Sequence, residues 1–201
     1  MSFPTQLNLG SGKDFKEDFL NLDYDGYWEP DIIYDLNTPL PQGKSQKFYT
    51  KRFGEIKITH SMFKKIIAYD VLEHIVNVHI CMKSCLDLLN PGGILEAQVP
   101  YDLSLGAWQD PTHVRAFNEN SWLYYTDWFW YLGWMEARFV KERLTLKLSH
   151  FGLEFQAQGK DLQEIARTPR AVDSMFVQLK KVSLSEENHQ QLQRLKGKPR
   201  S

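Results

Sequence analysis

Cysteine is scarce in this 201-residue chain: Cys81 and Cys85 are the only two. Two such residues four apart in one stretch make neither a disulfide framework nor a metal-binding spacing, so they read as free, mostly buried thiols. Charge of one sign is lacking too. With 24 Lys and Arg against 25 Asp and Glu, no overall field draws the chain to nucleic acid or to an acidic membrane. No apolar run reaches the roughly 18 residues of a membrane span. The opening Met-Ser-Phe-Pro-Thr lacks the basic and apolar regions of a signal peptide. The expected location is therefore cytoplasmic, with no nucleic-acid partner and no membrane span. Repeats and low-complexity runs are absent. What is there fits a single domain, 1–183, followed by a polar tail, 184–201, that reads as a fraying helix or a disordered end.

The stretch on which the rest hangs is Leu7-Asn8-Leu9-Gly10-Ser11-Gly12. A short apolar run that ends in Gly-Ser-Gly predicts a buried strand turning sharply, with glycines where the backbone bends beside a ligand. Phe15 to Asp18 leaves space for one or two helical turns before a second strand, Phe19–Asp23. A third strand is expected at Asp31–Asp35 and a fourth at Lys65–Tyr69, running into Asp70-Val71-Leu72-Glu73-His74. Residues 37–47 read as irregular, and 48–65 as a short helix or irregular segment. Beyond His74, Ile75, Val78, Met82, Cys85, Leu86 and Leu89 recur at helical spacing. Asn90-Pro91-Gly92-Gly93 then turns the chain into a fifth strand, Ile94–Val99. Alternation at Leu144, Leu146 and Leu148 predicts a sixth strand, and Met175–Leu179 a seventh.

Strands joined by connections too long for hairpins imply an α/β fold with a doubly wound, mainly parallel sheet, whose ligands bind outside the carboxyl ends of the strands. Gly10, Asp23, Asp35 and Asp70 fall along that edge. A carboxylate there accepts both hydroxyls of a ribose, or simply closes a turn on its own backbone. Residues 100–134 form a long loop with Gln109-Asp110-Pro111-Thr112-His113-Val114-Arg115, then an aromatic block from Trp122 to Trp134. Asp110 beside His113 is a candidate proton-accepting pair, His113 alternatively serving to tie down its loop. His74, Arg115 and Trp122 are candidate acceptor contacts. The aromatic block reads as a helical lid, a sugar platform or a homodimer contact.

Four linked pieces, Leu7 to Gly12, Leu22-Asp23, Asp31 to Leu36, and Asp70 to His74 with Leu88 to Gly93, resemble the class I methyltransferases that use S-adenosylmethionine. Within them the pattern is similar to the compact sugar or cell-surface type. The resemblance implies a Rossmann-like seven-stranded sheet with a shortened first crossover and an aromatic-rich insertion. It implies a cofactor site at Asn8, Gly10, Gly12, Asp23, Asp35, Leu36 and Asp70, with no metal. The implied activity is methyl transfer to a hydroxyl or carboxyl of a small-molecule or saccharide acceptor. A methyltransferase-like binding or scaffold module without turnover is the competing reading. Where many members carry a third glycine this chain has Asp14, and only about ten residues part Gly12 from Asp23 where nucleotide folds leave about 20.

Overall fold

The computed structural model describes residues 3–196. Its strands, in chain order, are β1 (Gln6–Leu9), β2 (Leu20–Asp23), β3 (Ile32–Ile33), β4 (Ser45–Thr50), β5 (Gly54–Thr59), β6 (Phe63–Tyr69), β7 (Leu89–Pro100), β8 (Ala137–Leu148) and β9 (Val172–Ser183). Helices α1 (Val78–Leu88), α2 (Gly106–Gln109), α3 (His150–Ala157), α4 (Leu162–Ala166) and α5 (Glu186–Lys196) lie between and after them. One sheet takes seven of the strands in the order β3-β2-β1-β6-β7-β9-β8. β1, β2, β3, β6 and β7 are parallel, and β9 runs antiparallel to both β7 and β8. The order reverses beside β1, where the chain steps from β1 to β2 on one side and to β6 on the other. Ligands of open α/β sheets bind at such a reversal.

Leu7, Leu9, Leu20, Leu22, Ile66 and Ala68 are almost wholly buried at the sheet's centre. α1 adds Val78, Cys81, Met82, Cys85 and Leu86, spaced three and four apart on one helical stripe, to the same core. Both cysteines are free and buried.

Several elements differ from the sequence expectation. The first crossover has no helical turn: residues 10–19 form turns only. β3 shrinks to two residues, and α1 starts at Val78 after a single 3-10 turn at Leu72–His74. β7 begins at Leu89, with the expected Asn90–Gly93 turn persisting as an irregularity between the pairs Phe63↔Leu89 and Lys65↔Ile94. The segment read as short helix or irregular is instead an antiparallel hairpin, β4–β5. Ile56-Lys57-Ile58, apolar residues alternating across a lysine, with Gly54 at a left-handed φ of 67° in the turn, was the available signal. The aromatic block is not one helix. It folds as 3-10 turns at Glu119–Tyr124 and Phe129–Leu132. The tail is helical over Glu186–Lys196, while 197–201 lie outside the described residues.

A polar network takes the place of the absent crossover helix. Asn21, fully buried, donates through its side chain to the carbonyls of Lys16 (2.9 Å) and Phe19 (3.0 Å), and its Oδ1 accepts from Lys16 N–H (2.9 Å) and from Asn8 Nδ2 (3.1 Å). Asp31 accepts from the Asn21 amide at 2.8 Å. Arg52, at the tip of the hairpin, meets the same Asp31 carboxylate with two bonds of 2.7 Å, and donates to the Phe19 and Glu17 carbonyls. Its guanidinium lies 4.8 Å from the Phe15 ring centre and 4.6 Å from that of Phe53. The hairpin thereby clamps the crossover.

The Asp31 side chain is 2% exposed, so removing its partner leaves a buried unpaired carboxylate. Arg52→Ala should lower unfolding stability by about 3–5 kcal/mol in urea titrations. Lys51→Ala, which breaks an exposed pair with Glu29, should leave the midpoint nearly unmoved. Equal midpoints for the two variants would contradict this account of the clamp.

Candidate functional site

At the carboxyl ends of β1, β2, β3 and β6 lies a cleft of about 450 Å³, within the usual range for small-molecule sites. Gly10, Asp23, Asp35, Leu36, Asp70 and His74 are among its walls. A larger cavity of about 650 Å³ sits between β8 and the α3–α4 segment, away from these strand ends.

Gly10 is glycine for two reasons. Its φ is 60°, and a Cβ there would stand 2.3 Å from Cγ2 of Val71. Gly12, at φ 44°, has open space where its Cβ would be. The turn between them is pinned by Asp23, whose Oδ2 accepts from the Gly12 amide at 2.7 Å and whose Oδ1 accepts from the Asp25 amide at 2.8 Å. Each carboxylate oxygen has more than one acceptor site, so Asp23 holds the loop and keeps capacity for a ligand's hydroxyls. Asn8 does not reach the cleft. It is buried beneath the turn, donating to the Asp14 carbonyl (3.0 Å) and to Asn21, so its place is to support the loop rather than to touch a ligand.

Asp35 accepts from the backbone and side-chain nitrogens of Asn37 at 2.9 and 2.8 Å, and Asn37 Oδ1 accepts from the Asn77 amide just before α1. Asn37 borders the cleft as well, a residue the sequence reading passed over. Asp70 has φ 56°, a conformation costly for a residue with a Cβ, and meets the Gln98 side chain at 3.3 Å. Three carboxylates wall this cleft, with neither lysine nor arginine among its lining residues. Its field favours a cationic ligand and opposes a phosphate.

The loop carrying Asp110 to Arg115 is drawn against the turn at residues 73–76. Val114 N–H donates to the Glu73 carbonyl (2.9 Å), and Arg115 donates to the carbonyls of Ile75 (3.2 Å) and Val76 (2.8 Å). Arg115 thus fastens the loop instead of standing free for an acceptor. The result brings His74 and His113 edge to face, ring centres 4.6 Å apart. Thr112 Oγ1 donates to Asp110 Oδ1 at 2.7 Å, and since a hydroxyl has one hydrogen it must accept from His74 Nδ1, 2.9 Å away. His113 Nδ1 faces the Ala107 carbonyl at 3.1 Å, an acceptor only, so that nitrogen also bears the hydrogen. In the neutral form of each ring, Nε2 therefore carries the lone pair. Asp110 lies 3.9 Å from His113 Nε2, and the Thr112 hydroxyl and amide hold its carboxyl below the usual carboxylate range. Glu73, which the sequence does not single out, has a carboxylate oxygen within 4.8 Å of a ring nitrogen of each histidine. It is 1% exposed, and neither carboxylate oxygen has a hydrogen-bond partner. Burial, with a smaller contribution from Asp70, pushes its carboxyl up to about 7.

Trp122 is a correction. Fully buried and stacked on Phe117 with ring centres 5.6 Å apart, it belongs to the core and cannot touch an acceptor. None of the aromatic block lines the cleft. Tyr125, Phe129 and Trp134 join the core, while Tyr124, Trp128 and Tyr131 pack together in the open.

No protein-family model and no curated protein matches this chain. Solved structures do. An S-adenosylmethionine-dependent methyltransferase from Archaeoglobus fulgidus aligns at TM-score 0.52 and 11% identity, over 89% of this chain and 86% of that one. One from Mesorhizobium loti aligns at 0.51 and 13%, over 87% and 89%. The fold is that of the class I methyltransferases. A [4+2]-cyclase, SpnF, shares it at TM-score 0.54 and 13% identity, over 90% of this chain and 77% of that one, so the class I methyltransferase fold alone does not name a reaction. Among the described residues no helix is long and apolar enough to cross a membrane.

The close approach at Gly10 yields a double test. Gly10→Ala should destabilise by about 1–3 kcal/mol from backbone conformation, with the clash against Val71 added. Val71→Ala in that background should recover the clash but not the backbone component, read as a partial return of Tm. No recovery would contradict the proposed contact.

Proposed function

We propose that the chain is an S-adenosylmethionine-dependent methyltransferase acting on a hydroxyl or carboxyl of a small-molecule or saccharide acceptor. The observation that carries this reading is the acid-walled cleft at the strand reversal. S-Adenosylmethionine carries a sulfonium and an ammonium, and the negative field of the three carboxylates together suits that positive charge as it would not suit a dinucleotide's pyrophosphate. Asp23 would take the ribose hydroxyls, Asp35 and Leu36 the adenine end, and Gly10, Gly12 and Asp70 the methionine end.

When bound, the cofactor would supply a sulfonium-activated methyl group to an acceptor oxygen, with a neutral thioether as leaving group, and a hydroxyl acceptor would have to give up its proton. The sulfonium is already activated, so alignment and exclusion of water supply much of the rate. His74, which borders the cleft, and His113 behind it form the end of the site where that proton leaves, with Asp110 and Thr112 setting the ring of His74. Tyr24 at the cleft and Trp108 on α2, beside the residue that holds His113, expose aromatic faces suited to a sugar ring or another flat acceptor. Tyr124, Trp128 and Tyr131 are left for contact with a second copy of the chain.

S-Adenosylmethionine at about 100 times its Kd should stabilise the chain by ~2.7 kcal/mol, a Tm rise of roughly 5–10 °C. Asp23→Ala should reduce that rise sharply. No rise with millimolar ligand would overturn the reading.

A further inference from the structure

We propose that Glu73, His74 and His113 form a binding site for a divalent transition-metal ion at the inner end of the cleft. One ligating atom from each lies within 4.8 Å of the others. Metal bonds of about 2.0–2.2 Å put such donors roughly 3–3.5 Å apart, so the widest separation in the group closes by up to about 1.3–1.8 Å on binding, a movement that side-chain rotation supplies.

Three features distinguish the group from a chance meeting. The first is Glu73: a carboxylate 1% exposed, with both oxygens unpartnered, is costly to keep charged unless a cation meets it, and when protonated it still leaves its polar atoms unpaired. The second is the state of the imidazoles. Thr112 with Asp110 engages Nδ1 of His74, and the Ala107 carbonyl engages Nδ1 of His113, which leaves the lone pair of each neutral ring on Nε2. Metal-binding histidines are oriented in the same manner, their other ring nitrogen donating to a carbonyl, a hydroxyl or a carboxylate network. The third is economy of ligands. Two imidazoles and one carboxylate suit zinc, iron(II), cobalt(II) or manganese(II) better than magnesium or calcium, and three protein ligands leave open positions for water or substrate. His74 borders the cleft, so an open position there faces the space where an acceptor would sit.

The site stands without the transferase reading. If both hold, the imidazoles are ligands rather than bases, the ion would bind the acceptor oxygen and lower its pKa, and Asp110, 3.9 Å from His113 Nε2, is a carboxylate placed to receive the proton.

Cobalt(II), whose visible bands report coordination, is the probe. The chelator-stripped chain should bind one Co2+ with ligand-field absorption. Glu73→Gln, His74→Ala and His113→Ala should each weaken binding at least 100-fold. Thr112→Val, which removes only the orienting hydroxyl, should weaken it about 10- to 100-fold. Circular dichroism of each metal-free variant establishes folding. Should a variant unfold, imidazole nitrogen NMR of the unmutated chain with Zn2+ answers the same question: large shifts at Nε2 of His74 and His113 support the site. Absence of stoichiometric binding, unchanged binding in the Glu73 and His113 variants, or shifts confined to His150 and His189 would overturn it. Because no S-adenosylmethionine is present, failure here is separable from failure of the transferase reading.

Discussion

Ten residues join the end of β1 at Leu9 to the start of β2 at Leu20, and no helix forms among them. A parallel crossover ordinarily carries a helix whose apolar stripe covers the sheet and whose backbone satisfies itself. Here the backbone groups of a bare loop must be met from outside. Asn21 meets them from within β2, and the Asp31–Arg52 pair reaches across from the residue before β3 and from the hairpin to lock the arrangement. Burial of that pair is costly in itself. With two parallel bonds, two aromatic faces against the guanidinium and further bonds from Nη1 and Nη2 to the Glu17 and Phe19 carbonyls, the cost is offset by geometry.

The ligand cleft depends on this clamp. Asn8 ties the underside of the glycine turn to Asn21, while Asp23 ties its upper side through Gly12. The turn is therefore fixed from both faces before any ligand arrives, and fixed donors and carboxylates lose little freedom on binding. A second long-range tie does the corresponding work at the inner end. Arg115 and Val114 bind their loop to the turn preceding α1, and that contact, across about forty residues of chain, is what places His113 beside His74.

Local pattern carried most of the sheet. β1, β2, β6, β7, β8 and β9 each rest on a run of apolar or alternating residues, and the acids that follow β2, β3 and β6 do stand around one cleft. The hairpin escaped because its outward positions are charged and its turn lacks the usual Asn-Gly or Asp-Gly pair. The pairing of Asp31 with Arg52 and the burial of Asn21 have no local signature, since each depends on what the fold brings alongside. Trp122 was misread, and Glu73 passed over, for a related reason. Residue type suggests exposure for a Trp among turns and for a Glu at a helix start, but tertiary packing buries both.

Mapping S-adenosylmethionine onto the chain by backbone amide NMR would bear most directly on the central claim, that the acid-walled cleft at the strand reversal is a cofactor site. The account predicts saturable shifts concentrated at residues 10–12, 23–25, 35–37 and 70–74. Shifts confined to the larger cavity beside β8 and α3, or none at millimolar ligand, would contradict it.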